Sequence, residues 1–344
     1  MKNDMQSAVM SGHRKRRRRF IFSTSLLVIT VISLCILALV LGRTPYPLET
    51  VVRVLLGEDI DGAAFAVRTL KLPRMVAALF VGMAFGLAGS TFQTMLRNPL
   101  ASPDIIGVTA GSSVAAVYGI LILNLSGQVI SMAALVSGLL VTLLIYCLSR
   151  KGSFSGGKLI LIGIGVQAML SSVVSYLLLR ASQHDVPYAM RWLSGSLNGI
   201  RMSSIGILPP VVVIFGGVII LLGKQLKILE LGEERAVALG VRTSLIRSVL
   251  IICAVVLIAF STSVTGPIAF VSFLSGPIAG KITGKGAPAE FASALVGASL
   301  VLGADLMGQF AFSTSYPVGV ITGIIGAPYL LYLLIGMNRK GGVA

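Results

Sequence analysis

The sequence predicts an all-α polytopic membrane protein of about ten transmembrane helices. Three observations carry this. Mean hydropathy is +0.94, and 55% of the residues are hydrophobic against 12% charged, where a soluble domain carries about 25% charged residues. Apolar tracts of membrane-span length alternate with short polar loops, and no polar stretch is long enough for a soluble domain. The basic residues sort by side: with the N-terminus inside, 20 of the 28 Lys and Arg residues fall on the internal side and 8 outside, as the positive-inside rule requires. The net charge of +16 therefore reports topology rather than a nucleic-acid partner.

Residues 1–19 form a basic cytoplasmic tail ending in Arg14-Lys15-Arg16-Arg17-Arg18-Arg19, and 20–337 form the transmembrane domain. The first span, Phe20–Leu41, is longer than a signal-peptide core and has no small-residue cleavage site after it, so it is read as retained. Gly42–Thr69 is polar, acidic in part, and external. Lys71-Leu72-Pro73-Arg74 opens the second span, Met75 to about Leu96, whose Gly82, Gly86 and Gly89 fall near helical spacing. Small residues let helices approach closely in lipid, which places this span in the middle of the bundle. The internal stretch Arg97–Pro103 breaks the chain at two prolines. Ile105–Leu123, Val129–Leu148 and Leu159–Leu179 are the third to fifth spans. Arg180–Arg201 is external and holds the only tryptophan, Trp192, in the amphipathic stretch Tyr188–Leu197, suited to the interface. The sixth span is about Ile205–Leu222 and the seventh Leu245–Val264. Gly266–Gly284 is too rich in glycine and proline for a plain span. A short or broken eighth helix is expected there, buried among the others because lipid does not tolerate exposed broken backbone. Phe291–Phe312 and Val318–Met337 complete the set, and 338–344 form an internal tail.

Between the sixth and seventh spans lies a charged island, Leu229–Val241, with Glu230, Glu233, Glu234 and Arg235. Charges of this density do not sit in hydrocarbon. Gly232 and Gly240 bracket a short helical pattern in which Leu229, Ala236 and Leu239 can share one face. Such a segment offers a surface to a partner rather than a site for chemistry.

Other motifs carry less. Gly152–Lys158 has the glycine spacing of a phosphate-binding loop, but Leu159 follows where Ser or Thr is needed and no strand precedes it. No nucleotide site, catalytic triad or carboxylate pair is read, so the chain is not expected to be an enzyme. Cys35, Cys147 and Cys253 lie in apolar tracts and read as small hydrophobes. His13 and His184 stand apart, so no metal site is expected. The polar residues within spans are Gln93, Gln167, Asp305 and Gln309. An intramembrane carboxylate suggests an ion or proton site, and a hydrogen-bonded structural role is favoured over it here.

Taken together, KLPR (Lys71–Arg74), Gly82, Gly89, Gln93, RNPLASPDIIGV (Arg97–Val108), LGEERAVALGV (Leu231–Val241), GPIAFV (Gly266–Val271), Ala304-Asp305 and PVGVITGIIGAP (Pro317–Pro328) resemble the FecCD family. These are permease subunits of binding-protein-dependent ABC importers for iron–siderophore complexes, haem and cobalamin. The pieces occur in the family's order from residue 70 onward. The resemblance implies a ten-helix permease fold that pairs with a second permease subunit around a central pathway, without a cofactor.

It further implies that Leu231, Gly232, Glu233, Glu234, Arg235, Ala236, Leu239 and Gly240 form the coupling helix on a cytoplasmic ABC ATPase subunit. Ala236 and Leu239 would then press into that subunit. Lys71 and Arg74 match basic positions that face acidic residues of an extracytoplasmic substrate-binding protein. A third such position is Gln309 here. Many members continue GPIAFV with Pro-His-Ile-Ala-Arg, where this chain has Gly276-Pro277-Ile278-Ala279-Gly280. The departure points away from cobalamin and toward a ferric siderophore as cargo. The expected location is the bacterial inner membrane, with both termini cytoplasmic. The competing expectation is an ion- or proton-coupled secondary transporter with Asp305 as its coupling carboxylate.

Overall fold

The computed structural model describes residues 2–42, 44–149, 156–284 and 289–341. Most of the phosphate-loop-like stretch, residues 152–155, lies outside the described residues, as do Lys285 and residues 342–344.

α1 runs unbroken over Lys2–Val40. The basic tail and the first span are one helix, because arginine and lysine propagate helix well and no proline intervenes. The expected polar stretch after it is structured: α2 spans Leu48–Leu55, and a π-helical turn, Phe65–Lys71, leads straight into α3, Leu72–Leu96. Val51, Val54, Ala63 and Val67 give this cap a small core of its own against Leu39 at the end of α1. Arg68 secures it by donating to the Val54 and Glu58 carbonyls.

Arg97 takes the left-handed conformation that ends α3. A 3-10 turn, Pro103–Ile106, precedes α4, Val108–Leu121. The third span is therefore shorter than expected. Gly107, at φ +76°, separates turn from helix, and the 14 residues of α4 reach only about 21 Å, less than the ~30 Å hydrocarbon core. α5 is Gln128–Ser149 and α6 Gly156–Arg180. α7, Val186–Leu193, is the expected amphipathic helix. Beyond it Ser196 N–H donates to the Thr265 carbonyl and Gly319 N–H to the Gly195 carbonyl, which ties this loop to two neighbouring helix ends.

α8, Met202–Ile205, and α9, Leu208–Leu221, form the sixth span. α10, Gly223–Leu229, and α11, Glu233–Ala238, carry the island, and α12 is Thr243–Thr265. The glycine-proline region resolves into α13, Val271–Thr283, short, with Pro277 inside it and Val271, Ser272, Leu274 and Ser275 buried. α14 is Glu290–Phe310 and α15 Val318–Gly341. Seven helices among the described residues are long and apolar enough to cross a membrane. The shorter apolar α4 and the Val318–Leu333 part of α15 add to these, and with the short buried α13 the bundle is roughly consistent with the expected ten.

α3 and α14 form the centre. They run antiparallel and touch backbone to backbone. A Cβ on Gly82 would lie 2.5 Å from the Gly297 carbonyl oxygen, one on Gly86 2.2 Å from that of Ser293, and one on Gly297 2.1 Å from that of Gly82. Gly89 makes the same kind of approach to Ser272 of α13. These contacts place the second span in the middle of the bundle, where its glycines had put it. α6 is at the other extreme, with Leu161, Met169 and Leu179 on the surface.

Candidate functional site

Two regions at opposite ends of α3 and α14 gather the chain's informative polar residues. The first is the Lys71 face. Pro73, in the first turn of α3, sets the helix start. In the same turn, Arg74 reaches α14: its Nε donates to Asp305 Oδ2 at 2.9 Å and its Nη2 to Oδ1 at 2.8 Å. Asp305 is 4% exposed and the Arg74 side chain 20%. Gln309, one helical turn beyond Asp305, donates to Oδ2 at 2.8 Å, and the remaining Arg74 nitrogen donates to Asn198 Oδ1 at 3.2 Å. The intramembrane carboxylate, for which a hydrogen-bonded structural role is expected, is matched by a two-pronged guanidinium, the geometry that suits Arg to carboxylates.

Lys71 lies beside this network. Its Nζ donates to the Leu39 and Val40 carbonyls at 3.0 and 3.2 Å, the last turn of α1, and stands 5.1 Å from the centre of the Tyr46 ring. A lysine here satisfies carbonyls that a helix end leaves open. Lys71, Arg74, Asn198, Asp305 and Gln309 all line one cavity of about 510 Å3.

The second region is the Glu233 face. Gly232, at φ +117°, and Gly240, at φ +79°, adopt backbone that other residues rarely take, and they bound α11 as the sequence predicts. The side chains sort differently from the expectation. Leu229 and Ala236 are buried inside the chain, at 3% and 0% exposure, while Leu239 is 61% exposed. The three do not share a face: Leu229 and Ala236 turn inward on either side of the Gly232 turn, while Leu239, just past the end of α11 at Ala238, turns outward. Ala236 therefore packs inward, and the apolar groups on the open side are Leu231, Val237 and Leu239. Glu233, Glu234 and Arg235 are exposed, with Glu233 3.5 Å from Arg247 of α12.

Nearby, Gln93 Nε2 donates to the Phe273 carbonyl at 2.9 Å, joining α3 to α13. A Cβ on Gly276 would lie 2.0 Å from Gln93 Oε1, so the glycine in the departing segment is matched to this glutamine. Gly280 has nothing within 4 Å of its would-be Cβ. Asp104, in the 3-10 turn, accepts from Ser102 Oγ at 2.9 Å and Thr109 Oγ1 at 3.0 Å. Burial pushes its carboxyl above the ordinary range, against those two bonds. Gln167 is half-buried on α6, apart from both regions. Arg19, from the basic tail, donates to the Lys281 and Ile282 carbonyls and closes the end of α13. The sequence gives no cue to this bond, which joins residues more than 260 positions apart. Among the described residues no group of three or more His, Cys, Asp or Glu gathers to hold a metal ion.

A bundle with a buried glycine-matched centre, polar networks at both ends and a charged short helix between two spans defines a multi-pass membrane transport subunit. The chain belongs to the FecCD transport family, whose model matches residues 27–336. It is 34% identical over 324 residues to the "Ferric enterobactin transport system permease protein FepG" of Escherichia coli, covering 94% of this chain and 98% of that protein. It is 33% identical over 334 residues to the "Fe(3+)-citrate import system permease protein YfmE" of Bacillus subtilis, covering 96% and 100%. Among solved structures, a chain described as an inward-facing metal-chelate type ABC transporter superposes with a TM-score of 0.81. It is 25% identical and covers 91% of this chain and 98% of that one.

Proposed function

We propose that this protein is the membrane permease of an ATP-driven importer and carries a ferric siderophore inward. The observation that supports it most directly is the segment 229–241. A short helix between two left-handed glycines packs Ala236 inward, and Leu231 before it with Val237 and Leu239 are turned outward. An apolar surface of this kind, rimmed by Glu233, Glu234 and Arg235, suits a cytoplasmic ATPase subunit. The Lys71 face then looks outward from the cell and receives a substrate-binding protein, and both termini are cytoplasmic. A second permease subunit, the same or a paralogue, completes the pathway. The names of the relatives, ferric enterobactin and ferric citrate permeases, support an iron chelate as cargo. So does the absence of the His and Arg that many relatives carry after GPIAFV.

The pairing of Asp305 with Arg74 supports a structural role for that carboxylate and tells against a proton-coupled carrier. The deciding experiment is uptake of a radiolabelled ferric siderophore into vesicles holding the permease, an ATPase and a binding protein. ATP without a proton gradient drives uptake on this reading. Uptake with a proton gradient and no ATP would overturn it.

A further inference from the structure

Glu290 opens α14 on the Glu233 face, and its side chain is buried, with 5% exposed. Its Oε2 is screened from solvent and meets no hydrogen-bond donor among the described residues. A first-turn glutamate complements a helix N-terminus, but an exposed one does so without the cost of desolvating a carboxylate oxygen. Capping alone therefore does not account for it. Glu290 lines a cavity of about 860 Å3 together with Arg97, Lys227, Glu230 and Leu231. Lys227 belongs to α10, and Glu230 is the residue that ends it, two positions before Gly232. The Glu290 backbone N–H and the Lys227 charge favour its carboxylate, and the Glu230 charge opposes it. The carboxylate thus faces the root of the 229–241 segment.

Behind Glu290 the structure is stiff. Gly82, Gly86 and Gly297 bring α3 and α14 into backbone contact with no slack for one to slide on the other. Fifteen residues along α14, about 22 Å at the helical rise, Asp305 is clamped by Arg74. A push at Glu290 is carried along α14 and α3 together.

We propose that Glu290 is a positioning residue: its attraction to Lys227 makes α14 follow the coupling segment, so that ATPase movement reaches the Arg74–Asp305 pair on the opposite face. This inference rests on the reading of 229–241 as the seat of the ATPase.

The test uses the complete transporter in proteoliposomes and counts cargo moved per ATP hydrolysed. Glu290→Gln keeps the shape and removes the charge. The ATPase should still co-purify and hydrolyse ATP, while cargo per ATP falls about fivefold or more. Exchanging the charges, Lys227→Glu with Glu290→Lys, should restore most of the ratio, as an effect carried by the charge pair requires. An unchanged ratio in assembled Glu290→Gln, or an exchange no better than either single variant, overturns the proposal. Should Glu290→Gln fail to assemble, Lys227→Gln at its half-buried position decides in the same way. A lowered ratio supports the link and an unchanged one overturns it. Retention of the ATPase after Leu239→Glu would instead overturn the reading of 229–241, and this inference with it. A null result confined to Glu290 and Lys227 leaves that reading standing.

Discussion

Arg74 and Asp305, 231 residues apart in the chain, close the Lys71 ends of α3 and α14 with two parallel hydrogen bonds, Nε to Oδ2 and Nη2 to Oδ1, and a third partner in Gln309. Removing one member of a buried pair leaves the other charge uncompensated, a loss of about 3–5 kcal/mol. Asp305→Asn and Arg74→Gln should each lower the thermal stability of the purified protein sharply. The double variant should cost clearly less than the two singles added, with coupling of about 1–3 kcal/mol. Additive losses in a denaturation series would mean that the pair contributes little.

Lys71 offers a cleaner probe of external docking than Arg74, because its bonds go to the carbonyls of Leu39 and Val40 rather than to a buried charge. Lys71→Glu should leave the membrane protein assembled and slow its association with the binding protein, with a weakened dependence on salt. Binding kinetics at two ionic strengths measure this. An association rate and salt slope equal to those of the unmodified protein would remove Lys71 from the docking surface.

On the Glu233 face the structure separates two residues that sequence reasoning had grouped. Leu239→Glu alters an exposed group and should release the ATPase in co-purification while the permease stays folded. Ala236→Arg forces a long charged side chain into a site with 0% exposure and should lower the yield of folded permease itself. Equal yields for the two variants would show that Ala236 is not packed inward.

The glycine contacts predict a sharp positional contrast. Gly82→Ala puts a Cβ within 2.5 Å of backbone on α14 and should destabilise the bundle severely, since backbone cannot step aside as a flexible side chain can. Gly280→Ala meets open space and should be neutral or stabilising by up to ~1 kcal/mol through helix propensity. Melting temperatures of the two in the same detergent make the comparison.

Topology is tested with single cysteines in a background lacking Cys35, Cys147 and Cys253. An impermeant thiol reagent added to whole cells should reach a cysteine at Asp59 or His184 and miss one at Glu233. Labelling at Glu233 from outside would reverse the proposed orientation.

Much of this architecture was legible because hydropathy marks spans directly, and because lipid leaves glycine as the residue for close helix approach. Gly82 and Gly86 announced a central helix without saying which partner they met; Gly297 and Ser293 are more than two hundred positions away. Asp305 was visible as an intramembrane carboxylate, but its pairing with Arg74 was not, since neither spacing nor composition connects two distant helices. The cap between α1 and α3 read as a polar loop because its core, Val51, Val54 and Val67, is too small to dominate the hydropathy of the stretch. The Leu229, Ala236 and Leu239 face failed for a local reason. Periodicity was carried past Ala238, where α11 ends, so Leu239 no longer follows the buried face of Leu229 and Ala236.

The π-helical turn at Phe65–Lys71 fixes the rotational phase between the cap and the bundle. An α-helix advances about 100° per residue, and a π turn fits roughly one more residue into each turn. The azimuth of α2 and its small core relative to α3 therefore depends on this one stretch. Losing a residue there would swing α2 and its small core by on the order of 100° about the α3 axis. Arg68 would turn away from the Val54 carbonyl, and the small core away from Leu39 on α1, which Arg19 holds against α13. Length in this turn is thus a constraint of angle rather than of reach, and a deletion that a surface loop would absorb should here misalign the whole Lys71 face.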